Sequence, residues 1–195
     1  MYLFVFYCTF LLILFLIPSV ITFKRTGINP LRFGKGNAAI DYAGRIYRLI
    51  SLLAFITVVL NAFFTEFLKY LRPLELLQTQ VVQWIGYGLL HLSLIWIFIA
   101  QRNLADEWRI GIDYENKVNL VTRGLFGISR NPIFLGVILV FVGLFFVVPN
   151  LLTVIILITG YIVIQIQVRL EEQFLSGELG TAYKEYMNKV RRWLL

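Results

Sequence analysis

Two short polar clusters bracket the longest uncharged run of this chain, and their residue types suit opposite kinds of ligand charge. The opening cluster is Ser129-Arg130-Asn131-Pro132, followed one turn later by Gly136; the closing one, 38 uncharged residues further on, is Arg169 with Glu171-Glu172. A helix that starts at Pro132 presents backbone N–H groups without intrahelical acceptors and a partial positive charge, an attractive place for an anionic group. A carboxylate such as Glu171 can hold a cationic one. Each piece also has a plainer use. Asn-Pro is a favoured way to start a helix, Gly136 permits close helix packing, and two acids can be interfacial charge beyond the end of a span.

These clusters need elements that bring them together. At about 1.5 Å per residue the uncharged run is long enough for roughly two crossings of a ~30 Å hydrocarbon layer. Pro149-Asn150 divides it, so a helical hairpin over residues 132–168 is expected, with both charged ends at one membrane face. Three further windows read as spans: Tyr2 to Phe23, Leu49 to Thr65, and one within Leu76 to Gln101. The expected fold is all-α and integral to the membrane, a single domain with about five transmembrane helices and an amphipathic tail. Residues 1–101 hold three N-terminal spans and residues 102–195 the hairpin and tail that carry both polar clusters. Beyond Leu170, apolar residues recur at helical spacing up to Trp193, interrupted by Gly177 and Gly180, as in one or two short helices on a membrane face.

Composition narrows the function classes. The chain of 195 residues is 59% hydrophobic and 15% charged, with mean hydropathy +0.78, too apolar for a soluble core with a polar coat. Cys8 is its single cysteine and lies in an apolar run, so disulfide, zinc and thiol-redox chemistry are set aside and no metal is expected. The net charge of +7 belongs to the loops. Residues 24–45, 102–130 and 169–195 each carry five Lys or Arg, against two in residues 65–80. By the positive-inside rule this puts the N-terminus outside and the tail in the cytoplasm, and it accounts for the basic balance without nucleic acid. His91 reads as a packed or hydrogen-bonded histidine, and Gln83 and Tyr87 can line a tunnel. Gly86, Gly88, Gly143 and Gly160 suit packing within the chain or between copies, so the oligomeric state stays open.

The segments around the hairpin form an ordered set: Trp108-Arg109-Ile110-Gly111-Ile112, Asn119-Leu120-Val121-Thr122-Arg123-Gly124-Leu125-Phe126, Arg130-Asn131-Pro132, Glu171-Glu172, then Leu175, Gly180, Tyr183, Tyr186 and Arg192-Trp193. As a constellation it resembles the isoprenylcysteine carboxyl methyltransferase and phospholipid methyltransferase superfamily of integral membrane enzymes. The resemblance implies S-adenosyl-L-methionine as cofactor, held at the cytoplasmic face by Val118, Asn119, Leu120, Val121, Phe126, Asn131, Pro132, Ile133, Phe134, Glu171 and Tyr183. It implies catalytic roles for Arg130 and Glu172, the latter as base when the acceptor must first lose a proton. It also implies a lipid-like or hydrophobic acceptor, with a lateral gap to the bilayer and a closed tunnel both open as its route, and a bacterial inner membrane or the endoplasmic reticulum as location.

Two positions depart from the isoprenylcysteine pattern. Asn131 stands where those enzymes tend to have histidine. Gln167 stands where they carry an arginine that meets the substrate carboxylate, with Arg169 two residues on; both are taken as substrate-binding. Gln167 can hydrogen-bond but not neutralise a carboxylate, so the acceptor extends to phospholipid amines and thiols. The alternatives are a nicotinamide-dependent reductase of the sterol-reductase type, whose chains are usually longer, and a scaffold without catalysis.

Overall fold

The computed structural model describes residues 1–29, 39–108 and 118–194; Arg109 to Ile112 of the first motif lie outside them. Helices carry the described chain. Helix α1, Tyr2–Leu11, continues through a π-helical turn, Leu12–Leu16, into α2, Ile17–Thr26, which ends at left-handed Gly27 (φ 69°). Helix α3 spans Ala39–Phe63. A short helix α4, Thr65–Leu68, and two 3-10 turns lead to α5, Gln80–Leu104, whose N-cap Thr79 accepts a hydrogen bond from the Val82 N–H.

Helix α6 is Pro132–Val147, α7 Leu151–Leu179 and α8 Thr181–Lys189. Pro149 cannot continue α6, and Asn150 starts α7 by a reciprocal capping box with Thr153. The expected break at Pro149-Asn150 is therefore where the backbone turns.

Among the described residues, four helical stretches are long and apolar enough to cross a membrane: Tyr2–Thr26, Ala39–Phe63, Gln80–Leu104 and Leu151–Leu179. Helix α6 is as apolar, but its 16 residues rise only about 24 Å. The count by length is four rather than the expected five. Two boundaries also differ. Helix α3 begins ten residues before Leu49, and α7 runs past Val168 to Leu179, so Leu170 to Leu179 extends the last long helix instead of forming a separate one. Charge marks where apolar solvent ends, whereas a backbone of good helix formers continues until Gly180 (φ 54°) stops it.

Packing rests on small residues. A Cβ on Gly86 would lie 2.8 Å from the Val147 backbone nitrogen and 2.9 Å from the Gly143 carbonyl, so α5 and α6 touch backbone to backbone. Gly136 admits Ile97 of α5, and Gly160 of α7 admits the Phe141 ring of α6. Gly86, Gly143 and Gly160 are thus spent within the chain; Gly88 meets nothing. Polar pins supplement these contacts. Gln101 Nε2 donates to the Leu14 carbonyl in the π turn (2.6 Å), and Trp96 Nε1 to the Pro132 carbonyl (2.8 Å). His91 is hydrogen-bonded on both ring nitrogens, to the Tyr2 hydroxyl (2.8 Å) and the Tyr87 carbonyl (2.7 Å). On α7 the exposed Ile155, Ile158, Ile162 and Ile166 form a stripe suited to lipid rather than water.

The segment before α5 is latched to the α6–α7 turn. Pro73 and Asn150 pair as an isolated bridge, the Leu74 N–H donates to the Pro149 carbonyl (3.0 Å), and the Leu151 N–H to the Arg72 carbonyl (3.2 Å).

Candidate functional site at the start of α6

At the other end of α6 and α7 the two polar clusters meet through one carboxylate. Glu172 is 5% exposed and both its oxygens are occupied. Oε1 accepts from Arg130 Nε (3.1 Å) and Asn131 Nδ2 (3.1 Å), and Oε2 accepts from Arg192 Nε (3.0 Å) and Nη2 (2.7 Å). Arg130 also binds the tail, donating from Nη1 to the carbonyls of Met187 (3.2 Å) and Val190 (2.6 Å), while its backbone N–H donates to the Arg191 carbonyl (2.9 Å). The buried Ser129 hydroxyl donates to the Arg192 carbonyl and accepts from the Asn131 N–H. A single buried acid thus clasps the foot of α6, the C-terminal part of α7 and the chain beyond α8. Asn131 starts α6, but its side chain makes no capping bond; the amide is committed to Glu172.

Helix α8 closes the arrangement by burying Tyr183 and Tyr186 while Lys184 and Glu185 stay exposed. The two rings lie 5.8 Å apart among Leu120, Leu175, Leu179 and Met187, and the Tyr186 hydroxyl donates to the Phe126 carbonyl (2.6 Å). Burial pushes the Tyr186 phenol up to about 12, and burial with the nearby Glu172 charge raises Tyr183 as well. The hydrogen bonds it donates to Glu172 hold the Arg192 guanidinium above its ordinary value.

The segment leading to α6 is pinned from α5 and from Glu107. Asn103 Oδ1 accepts from the Leu125 N–H (3.0 Å) and its carbonyl accepts from Arg123 Nε (3.3 Å). Gly124 has φ 61°, and a Cβ there would collide with the Asn103 amide, so this position demands glycine. Asn119 Nδ2 donates to Glu107 Oε1 (2.7 Å). Val118, Leu120 and Val121 are half-buried.

Of the residues expected in the site, Arg130, Asn131 and Glu172 are in direct contact, Phe126 is tied to the tail by its carbonyl, and Tyr183 is packed inside the tail's apolar cluster. Pro132 is buried, and Ile133 and Phe134 pack on the main core from the first turn of α6. Glu171, half-buried, accepts from Gln167 Nε2 one turn earlier (3.0 Å). Arg169 stands apart from them. Two residues on from Gln167 it lies on a different face of α7, exposed and bonded back to Gln165. Arg192, Ser129, Asn103 and Glu107 were not among the expected site residues. The signal for Arg192 was present: two adjacent acids at a charged foot call for cations, and Arg191-Arg192 stand in the tail that folds back.

Together the fold and this clasp define an all-helical membrane protein whose polar centre sits at one end of the bundle. The family model of the phospholipid methyltransferases matches residues 81–182, more than half of the chain, and the chain belongs to that family. No curated protein matches it. Membership makes this a membrane methyltransferase acting on lipid-like substrates, in line with the motif resemblance. The matched region takes in α5 but for its first residue and all of α6 and α7, with Asn131 and Glu172, and stops two residues into α8.

Proposed function

We propose that the chain binds S-adenosyl-L-methionine beside the Glu172 clasp and methylates a lipid-like acceptor there. The carrying observation is the contrast between adjacent carboxylates. Glu172 is saturated by two guanidinium groups and an amide, whereas Glu171 bonds only Gln167 among the described residues. A half-buried carboxylate without a cation is costly unless a ligand brings one. Gln167 Oε1 is likewise buried with no donor among the described residues. Both needs are met by the ammonium group of the cofactor's amino-acid part. Its carboxylate suits the free N–H groups of Ile133 and Phe134 in the first turn of α6.

When bound, S-adenosyl-L-methionine supplies a methyl group carried on a sulfonium sulfur. The residues of the chain have holding and shielding tasks. Val118, Leu120, Val121 and Phe126 would form an apolar wall, with Asn119 held by Glu107 at its edge, and α8 excludes water from above. Asn131 and Pro132 fix where the α6 N-terminus points. In this reading Glu172 and Arg130 are positioning residues rather than proton carriers, because every strong bond they make is already directed at the fold. Gln167 stays with Glu171 at the ammonium group, and Arg169 is left to the headgroup region. The site faces the cytoplasm of a bacterial inner membrane or of the endoplasmic reticulum, with α6 as a short fifth crossing that pairs with α7 and residues 102–195 as the cofactor-binding part.

The test is calorimetric binding of S-adenosylhomocysteine to the purified protein. Glu171→Gln removes one charge-assisted interaction, so affinity falls roughly tenfold to a hundredfold with no fall in the melting temperature of the ligand-free protein. Wild-type affinity in that variant rejects the placement, and tight NADPH binding without S-adenosylhomocysteine binding rejects the methyl donor.

A further inference from the structure

About 24 Å from Asn131, at the opposite end of α6, lies a partly open cavity of about 470 Å³. Five side-chain amides line it, those of Asn61, Gln78, Gln80, Gln83 and Asn150, together with the Thr79 hydroxyl. None of its lining residues is charged. The remaining wall is apolar, with Leu68, Leu77 and Phe146. Its volume falls within the range of small-molecule sites, and water alone has little use for an apolar wall.

One lining residue has an unmet need. Asn150 is 2% exposed and its Oδ1 is engaged in capping α7 at Thr153 N (2.9 Å), yet its Nδ2 is buried with no hydrogen-bond partner among the described residues. A buried amide donor without an acceptor has lost its water and gained nothing in return, which is destabilising. The cavity's surroundings indicate where an acceptor would come from. Phe63, Phe64, Phe67, Tyr70, Leu76 and Trp84 are all strongly exposed around this end. Side chains such as Tyr70 and Trp84 sit at headgroup level in a bilayer, and the exposed phenylalanines and leucine beside them suit its apolar interior.

We propose that this cavity is a second ligand site, for an uncharged amphiphile of the monoacylglycerol type. Its ester or hydroxyl oxygens accept from Asn150 Nδ2 and the neighbouring amides, and its acyl chain lies along the apolar wall toward the lipid. The uncharged lining selects against phosphate and ammonium headgroups, which would enter without a counter-ion. The site is separate from the methyl-donor reading and stands or falls without it.

The experiment uses the whole protein held in amphipol and a diazirine-bearing monoacylglycerol, with competition by monoolein. Labelling is saturable and maps to residues 61–83 and 146–150. Asn150→Ser keeps a favoured helix cap but deletes the amide donor, and weakens competition about fivefold. Asn61→Phe fills the cavity and abolishes labelling. In both variants S-adenosylhomocysteine binding matches that of the unaltered protein. Non-saturable labelling, labelling that neither variant changes, or tighter competition by lysophosphatidylglycerol than by monoolein overturns the proposal.

Discussion

Glu172→Gln tests whether one carboxylate holds the site together. Glutamine keeps an oxygen where Oε1 stood, so the bonds from Arg130 and Asn131 can persist. The other position becomes an NH₂ group facing the N–H donors of Arg192, and two charge-assisted bonds are replaced by donor-to-donor contact. Removing one partner of a buried ion pair costs about 3–5 kcal/mol, because the remaining charge is left uncompensated. The Arg130 side chain is 10% exposed and suffers this fully, while that of Arg192, at 34%, is partly rescued by solvent. The expected loss is therefore near the lower bound, about 3 kcal/mol, which for a chain of this size corresponds to a fall of roughly 6–12 °C in Tm. Thermal melts in detergent, followed with limited proteolysis, report both parts. The variant should be cut between α7 and α8 at temperatures where the unaltered protein resists, since Arg130 and Ser129 hold the tail only while α6 and α7 are clasped. A variant with the original Tm and an equally protected tail would refute the clasp as a source of stability.

Two further outcomes follow from the same region. Gly124→Ala forces a side chain into left-handed backbone and into the Asn103 amide, so a loss of about 1–3 kcal/mol is expected by melting, with weaker S-adenosylhomocysteine binding. The Tyr186 phenol has its value raised in the folded state from about 10 to about 12, chiefly by burial. Its contribution to tail docking is fully present below pH 10 and is lost as pH climbs from about 10 to 12. Protease sensitivity of the tail should rise across that window and rise later in Tyr186→Phe; identical alkaline profiles would assign the loss to other groups.

The meeting of the two polar clusters was legible because it needs only a hydropathy run and one Pro-Asn break. A chain that turns at residues 149–150 must return Glu171 and Glu172 to the level of Asn131. Which of the two acids is clasped was not legible. Adjacent residues on a helix point about 100° apart, and only the packing of α6 and α8 against α7 decides that Glu172 faces inward while Glu171 keeps a single amide partner. The same limit hid Asn103: its function depends on the path of residues 123–125 past the end of α5, a tertiary contact without periodicity. The glycines were visible as small residues, but that Gly86 meets Gly143 rather than another copy depends on the crossing of α5 and α6. Helix lengths misled where charge was read as an end, because Arg169 terminates an apolar stretch without terminating α7.

The brevity of α6 has a mechanical consequence. If its 16 residues cross the bilayer as proposed, they fall about 6 Å short of the hydrocarbon thickness, while α7 reaches Glu171 only after about 30 Å. Hydrophobic mismatch of this size is relieved most cheaply by thinning the adjacent leaflet, at fractions of a kcal/mol per ångström. The protein would then sit in a dimple of its own making. A lipid drifting into that dimple is brought down to the level of the buried polar centre without leaving its neighbours, so the membrane's own shape does part of the work of substrate delivery.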